Sequence, residues 1–393
     1  MRSMGQFVVF LSIVLGVVGA WQYYVWTRLV RDPSWPEPYG RIATVGLVLM
    51  VVLPPFVIFG ARFLPRSTVG AVSATLYTWF GLAFLLTVAF FAADLARWIL
   101  RGVTWLLGDS SPDDPERRHL LARGVAGAAG ATAAVLGAVS IRSALADVEV
   151  KEVEVKLERL PASLSGLSIV QLTDVHIGPT IGQKFLEHVV ETTNLQKPDA
   201  IVITGDLVDG SVAALRRHVE PLAKLRARYG VFFVTGNHEY YSGVDDWLAE
   251  LERLGVRPLR NERVSLGDRG ASIDLAGVDD QSARGFGPGH GADYAKALGG
   301  AEPDRELILL AHQPSQIVHA ARAGVGLQLS GHTHGGQIWP FGALVRLNQP
   351  YIAGLHRHDD RTQIYVSRGT GYWGPPMRLF CPAEITKLVL STS

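Results

Sequence analysis

The chain has 393 residues, 48% of them hydrophobic and 19% charged, which is enough apolar sequence for a sizeable core with some left over. A net charge of +1 excludes a general nucleic-acid binder, which needs a surplus of Lys and Arg along one face. The single cysteine, Cys381, excludes an internal disulfide and leaves the redox compartment open.

The apolar excess lies at the front. Phe7 to Trp26, Ile42 to Ala61 and Val72 to Ala93 are nearly uncharged and each about 20 residues long, the length that crosses about 30 Å of hydrocarbon, so three spanning helices are expected. Core helices of soluble domains rarely lack a polar face in this way. Trp21, Tyr23, Tyr24 and Trp26, with Trp98 and Trp105 beyond the third segment, fit interfacial aromatics. A polar loop rich in Pro, Asp and Ser is expected from Asp109 to Glu116. Gly124 to Ile141, built largely of Gly and Ala, is weakly hydrophobic but long enough to span. The run Arg117-Arg118-His119-Leu120-Leu121-Ala122-Arg123 before it reads either as a basic juxtamembrane loop or as an internal twin-arginine export signal.

Arginine bias sets the orientation. Arg28, Arg31 and Arg41 in the first loop and Arg97, Arg101, Arg117, Arg118 and Arg123 in the third outnumber Arg2, Arg62, Arg66 and Arg142, so the first and third loops are expected in the cytoplasm. If the fourth segment spans, everything after about Leu145 is extracytoplasmic; if it does not, the second domain is cytoplasmic. Ala144-Leu145-Ala146 also has the small-x-small form of a cleavage site, which leaves release of that domain open. The boundary is drawn between a membrane module, 1–145, and a second domain, 146–393.

Val148 to Leu157 interleaves valine with Glu and Lys and predicts an opening strand. Five apolar runs then end in polar side chains. Leu167 to Thr173 ends in Asp174-Val175-His176, Ile201 to Thr204 in Gly205-Asp206, and Val231 to Thr235 in Gly236-Asn237-His238-Glu239. Leu307 to Ala311 ends in His312, and Leu327 to Ser330 in Gly331-His332-Thr333-His334. Helical patterns at Ile181 to Leu195, Val212 to Tyr229, Val244 to Leu254, Ala292 to Leu298 and Pro314 to Ala323 separate them, and Gln363 to Ser367 and Ile385 to Leu390 are late strands. The alternation predicts an α/β sandwich with mixed sheets, whose strand ends gather Asp, Asn and His on one rim. Gly285 to Gly291 lacks the Lys-Ser/Thr ending of a phosphate loop.

The donors on that rim, Asp174, His176, Asp206, Asn237, His312, His332 and His334, are oxygens and imidazole nitrogens only. That mixture suits Mn, Fe, Zn or Co rather than a thiolate-bound zinc. Seven are too many for one open site and right for two ions sharing a carboxylate. In this order the motifs resemble the calcineurin-like metallophosphoesterase family, in particular its membrane-linked bacterial phosphohydrolase branch, over about residues 168 to 390.

The resemblance implies a four-layer α/β/β/α sandwich preceded by the transmembrane helical module. It implies that Asp174, His176, Asp206 and His334 hold one divalent ion and Asp206, Asn237, His312 and His332 the other, with Asp206 bridging. His238 would face the leaving group, and Glu239 stands where the motif more usually has Asp. Gly335-Gly336-Gln337 and Gly371 to Pro382 also resemble that branch. The implied activity is hydrolysis of a phosphodiester, phosphomonoester or pyrophosphate by a hydroxide between the two ions, with His238 as proton donor. Two carboxylates against two dications leave surplus positive charge that draws in an anionic phosphate.

Arg378, in the resembling C-terminal run, and His356, in a loop with Arg357 and His358, are candidate substrate contacts. His188, His218 and His319 are expected on the surface or in the core. Trp339, Phe341, Tyr351 and Trp373 read as core or as a lipid-facing lip. The membrane module favours a lipid or envelope substrate, a multi-pass bacterial cell-membrane location and an extracytoplasmic catalytic domain. The alternative, a metal-dependent sensor or scaffold without activity, has no use for His238 as an acid.

Overall fold

The computed structural model describes residues 4–60, 64–107, 114–268 and 270–393. The chain divides into two compact units, Met1–Ile141 and Arg142–Ser393. The first contains helices α1 (Met4–Trp26), α2 (Tyr39–Gly60) and α3 (Arg66–Leu106) and most of α4 (Pro115–Ala144). Arg66–Leu106 and Pro115–Leu145 are long and apolar enough to cross a membrane, and Tyr39–Pro54 is a shorter apolar stretch. The first expected span, Phe7 to Trp26, falls on α1, and several side chains at its start lie outside the described residues. So do Arg2, Ala61 and Arg62, and residues 109–113 of the expected polar loop.

Several polar side chains among these helices find partners across them, which offsets the cost of an unpaired donor in apolar surroundings. Trp21 Nε1 donates to Thr87 Oγ1 (2.7 Å), Trp26 Nε1 to Thr44 Oγ1 (2.9 Å), Trp79 Nε1 to Gln22 Oε1 (3.1 Å) and Tyr24 OH to Asp94 Oδ2 (2.9 Å). Trp21, Tyr24 and Trp26, expected at the lipid boundary, thus tie helices together, and Tyr23 is the exposed ring of the four.

Among the described residues, the second unit forms two six-stranded sheets, with strands numbered along the chain. One runs β1 (Glu149–Leu157), β12 (Glu384–Thr392), β2 (Ser168–Leu172), β3 (Ala200–Thr204), β4 (Val231–Val234), β5 (Val256–Pro258). The other runs β10 (Gly354–Arg357), β11 (Gln363–Val366), β9 (Leu327–Ser330), β8 (Leu307–Leu310), β7 (Ala271–Gly277), β6 (Glu262–Asp268). Strands β2 to β5 are parallel neighbours, as are β7, β8, β9 and β11.

Alternate residues of each strand point to opposite faces, and here both faces are covered. Ile169, Val202, Phe232 and Val234 meet Leu275, Ile308, Leu310 and Leu329 between the sheets. On the outer face of the first sheet, Val170, Leu172, Ile201, Ile203 and Phe233 pack with side chains of α5 (Gln183–Leu195), α6 (Val212–Val219) and α8 (Val244–Arg253). Leu307, Leu309, Ile364 and Val366 do the same with α9 (Tyr294–Leu298) and α10 (Ile317–Arg322). The result is the four-layer sandwich. The helix expected over Val212 to Tyr229 stops at Val219, where Pro221 opens a 3-10 turn, Glu220–Lys224. A hairpin of β6 and β7, which the sequence pattern did not single out, begins the second sheet.

Candidate metal centre

The loops after β2, β3, β8 and β9 are laced by their backbones before any side chain acts. Asp174 N donates to Gly205 O (3.0 Å), His176 N to Asp206 O (3.1 Å) and Gly331 N to His312 O (3.0 Å). Asp174, His176, Asp206, His332 and His334 have φ of +52°, +53°, +51°, +70° and +50°, left-handed values that side chains beyond Cβ disfavour. Five of the seven candidate ligands are held in this unfavourable conformation, a concentration typical of functional sites. Two glycines permit it: a Cβ on Gly236 would collide with Asp206 Oδ1, and one on Gly331 with Asp174 Oδ2.

Six of the candidate ligands converge as two triplets, and a third triplet joins His176 to Asp209 and His238. In one, His334 Nε2 lies 3.1 Å from His176 Nε2 and 3.4 Å from Asp174 Oδ1. In the other, His312 Nε2 lies 3.2 Å from both Asp206 Oδ2 and His332 Nδ1. Asp206 Oδ2 is also 4.0 Å from His176 Nε2, so it stands between the triplets. Ligands about 2.1 Å from one ion at angles of about 90–110° sit about 3.0–3.4 Å apart, the spacing found here. Asn237 Oδ1 is buried with no hydrogen-bond partner among the described residues. Facing imidazole nitrogens, carboxylates and an unpaired amide oxygen form a donor set that fits divalent cations.

Neighbouring groups fix which ring nitrogen is free. His176 Nδ1 is 3.1 Å from both oxygens of Asp209, and His312 Nδ1 is 2.8 Å from Thr204 O, so in each ring Nε2 faces the site. Burial works to raise Asp206, but the imidazoles of His312, His238 and His176 outweigh it and hold the carboxylate well below its usual range. His334 is held well below 6.5 by burial and by the nearby charges of His176 and Arg378, which keeps its lone pair available. His312 goes the other way: burial opposes the charged form, yet Asp206 draws a proton onto it, the position a cation would contest.

Sequence reasoning missed Asp209. An isolated parallel bridge between Ile177 and Val208 continues the β2–β3 pairing, and Asp209 N donates to Ile177 O at 2.8 Å, which sets its carboxylate beside His176. Asp209 Oδ1 also lies 2.6 Å from His238 Nδ1. His238 Nε2 in turn is 4.0 Å from Asp206 Oδ2. Burial disfavours the imidazolium, but the hydrogen bond to Asp209 and the charges of Asp206 and Asp209 raise His238 to about 9. Asp209 is correspondingly lowered to about 2: burial opposes ionisation, and His176 and His238 overcome it. The only signal in the sequence is a second acid three positions after Asp206.

Glu239 is buried and lies behind the site. Its carboxylate accepts from Asp206 N (3.0 Å), Leu207 N (2.8 Å) and Gly236 N (2.7 Å), tying the β3 loop to the start of α7 (Asn237–Ser242). Burial and the Asp206 charge push it up to about 7, against the pull of the Gly236 and Leu207 amides.

Arg378 corrects an expectation. It is fully buried and its guanidinium donates to the carbonyls of Gly371, Cys381 (3.0 Å) and Gly369 (3.4 Å), with Nη2 3.4 Å from His334 Nδ1. It is therefore packed behind His334 and not presented to a substrate. His356 Nε2 is 2.8 Å from Ala353 O and its ring stacks on Tyr351, centroids 4.9 Å apart, outside both triplets. His188 faces Asp147, the Gln183 amide donates to His218 (3.3 Å), and His319 stacks on Tyr294. Beside His238 stand Tyr241 and Trp373, at centroid distances of 5.5 and 5.7 Å, both exposed. Trp339, Phe341 and Phe380 are exposed as well, whereas Tyr351 is half-buried and bonded to His358.

The family model for calcineurin-like phosphoesterases matches residues 167–336, the stretch that carries all seven candidate ligands. A Campylobacter jejuni protein named as an uncharacterized metallophosphoesterase is 33% identical over 387 residues, covering 98% of either chain. A Bos taurus "transmembrane protein with metallophosphoesterase domain" is 47% identical over 269 residues, 66% of this chain and 61% of that one. A Helicobacter pylori metallophosphoesterase is 43% identical over 250 residues, 63% of this chain and 65% of that one. The chain thus spans less than two thirds of the length of the bovine and Helicobacter relatives, but nearly all of the Campylobacter one. By that end-to-end similarity, this chain belongs to the calcineurin-like metallophosphoesterase family.

Proposed function

We propose that residues 146–393 are a two-metal phosphoesterase domain carried by a membrane module over residues 1–145. The observation that carries the reading is Asp206 standing between two triplets whose donor spacing suits one ion each. One ion would be held by Asp174, His176, His334 and Asp206. The other would be held by Asp206, His312, His332 and Asn237, whose buried Oδ1 otherwise lacks a partner among the described residues. Mn, Fe, Zn or Co suit these donors. Two such cations, when bound, supply an acidified water as nucleophile and positive charge for the phosphoryl oxygens.

The chain's own residues do the rest. With only two carboxylates, Asp174 and Asp206, among the seven candidate donors, the negative charge of the donor set stays low enough to admit an anionic ester. His238, protonated at neutral pH and held at Nδ1 by Asp209, presents Nε2 as donor to the departing oxygen. Trp373 and Tyr241 flank that imidazole and favour an apolar leaving group. With exposed Trp339, Phe341 and Phe380 they support an amphiphilic or lipid-linked substrate. The two apolar helices, and similarity to relatives described as transmembrane, such as the bovine protein, support a multi-pass location. The arginine distribution, taken with Pro115–Leu145 as a span, supports an extracytoplasmic catalytic domain.

The test is hydrolysis of phosphomono-, phosphodi- and pyrophosphate esters by the full chain after chelation, then with Mn restored. Activity should depend on the metal, and Asp206→Asn should lose both bound metal and turnover. Turnover indifferent to chelation, or normal in Asp206→Asn, would overturn the assignment. Metal binding with no hydrolysis across the panel would favour a sensor or scaffold.

A further inference from the structure

A second concentration of charge lies in the N-terminal unit, where the ends of three helices enclose a cavity of about 710 Å³. That is within the range of small-molecule sites. Arg28 and Arg31 enter it from a π-helical turn, Thr27–Arg31, that continues α1. Such turns are rare and often mark functional positions. Arg97 and Arg101 come from the last third of α3, and Arg118 from the first turn of α4.

Among the described residues, the carboxylates lining the cavity are Asp32 and Asp94, and both are engaged. Asp32 pairs with Arg28 (2.8 Å) and Arg31 (3.0 Å), and Asp94 with Arg28 (2.9 Å) while accepting from Tyr24. Arg97 reaches Asp94 only at 4.0 Å. The guanidiniums of Arg101 and Arg118 have no partner among the described residues, and Arg28 Nε is buried without one. Among the described lining residues, five arginines against two aspartates leave a concave site with surplus positive charge. Arginine's planar fork of donors matches phosphate oxygens in particular. The rule that places arginines on the cytoplasmic side accounts for their number, but not for their convergence on one cavity.

We propose that this cavity binds a phosphate group, carried by an anionic lipid headgroup or free in solution. It is a site separate from the metal centre. Its surroundings suit a headgroup: the apolar part of α3 ends near Asp94, and exposed Trp98 lines the rim as an interfacial aromatic. That depth argument rests on reading the helices as membrane spans, whereas the cavity and its charge do not.

The test uses the full chain, chelated to silence the metal centre, in phosphatidylcholine nanodiscs with or without phosphatidic acid. Native mass spectrometry reads retained lipid, and calorimetry reads inorganic phosphate in pure phosphatidylcholine discs. Arg101→Gln with Arg118→Gln removes two exposed, unpartnered cations, so folding should survive, as size-exclusion chromatography checks. Retention of phosphatidic acid, or affinity for phosphate, should fall on the order of tenfold. The control pair Arg117→Gln with Arg142→Gln, outside the cavity, should change neither. Lipid retention identifies the headgroup as the source and phosphate binding alone identifies the free anion; either supports the site. Equal effects of the two pairs, or no binding of either ligand by the unaltered chain, would overturn it. A chain that stays monodisperse in buffer without detergent would instead remove the membrane reading, and the phosphate measurement would still decide the cavity.

Discussion

Asp209→Asn is the most discriminating change at the candidate metal centre because it alters a charge while nearly preserving shape. The carboxylate lies 2.6 Å from His238 Nδ1 and is a main reason that imidazole is raised to about 9. A general acid must be protonated to act, so its contribution persists below its pKa and is lost as pH rises through it. With the native value, about nine tenths of His238 is protonated at pH 8. If the amide let it fall all the way to 6.5, about 3% would be, a loss of up to about thirtyfold at pH 8 and under twofold at pH 6. Asp206, still 4.0 Å from Nε2, makes this an upper bound.

The assay is initial rate against pH for two esters that differ only in the leaving group, phenyl and nitrophenyl. The alkaline limb for the phenyl ester should move to lower pH in Asp209→Asn, while the nitrophenyl ester, whose oxygen departs without a proton, should respond little. Asp209 also touches His176, so metal content is measured alongside and rates are normalised to it. Superimposable alkaline limbs for the two proteins would refute the pairing of Asp209 with an acid at His238.

Three further substitutions separate structural roles from chemical ones. Glu239→Gln replaces one of two oxygens that together accept three backbone N–H groups, and should lower unfolding free energy by roughly 2 kcal/mol in denaturant titration of the metal-free chain. Arg378→Lys leaves buried carbonyls without donors and should cost about 3 kcal/mol of stability with KM unchanged; a raised KM at unchanged stability would restore a substrate contact. Trp373→Ala should raise KM about tenfold for an aryl or long-chain ester and leave a methyl ester unaffected, since the exposed ring adds apolar contact and not chemistry.

The parts of the site visible in the sequence are those that follow a strand directly. A parallel strand buried on both faces is largely apolar, so Leu307 to Ala311 announces its own end, and the next polar residue, His312, falls on the rim. Asp174, Asp206, His312 and His332 were legible on that ground. Residues acting through a neighbour's backbone carried no such mark. Asp209 is placed by an isolated bridge several residues past the ends of β2 and β3, and Glu239 by three amides from two loops. Arg378 misled for the same reason: a cation in a motif-like run suggests an anion, and only the fold shows that its donors meet carbonyls. The β6–β7 hairpin was missed because β6 mixes charged and apolar residues at the sheet edge and Asp274 interrupts the apolar run of β7.

The left-handed backbone at five of the candidate ligands connects these two classes. A lone Asp or His rarely holds such a conformation, since each costs about 1–3 kcal/mol unless its surroundings impose it. Here the imposing contacts are the ones the sequence hides: the Glu239 clamp on the Asp206 amide, the Gly331 and Gly236 clearances, and the lacing of the β2 loop to the β3 loop. The strain is therefore offset by contacts from residues outside the candidate ligand set. It follows that Glu239→Gln should weaken metal binding as well as stability, though Glu239 has no atom among the candidate ligands.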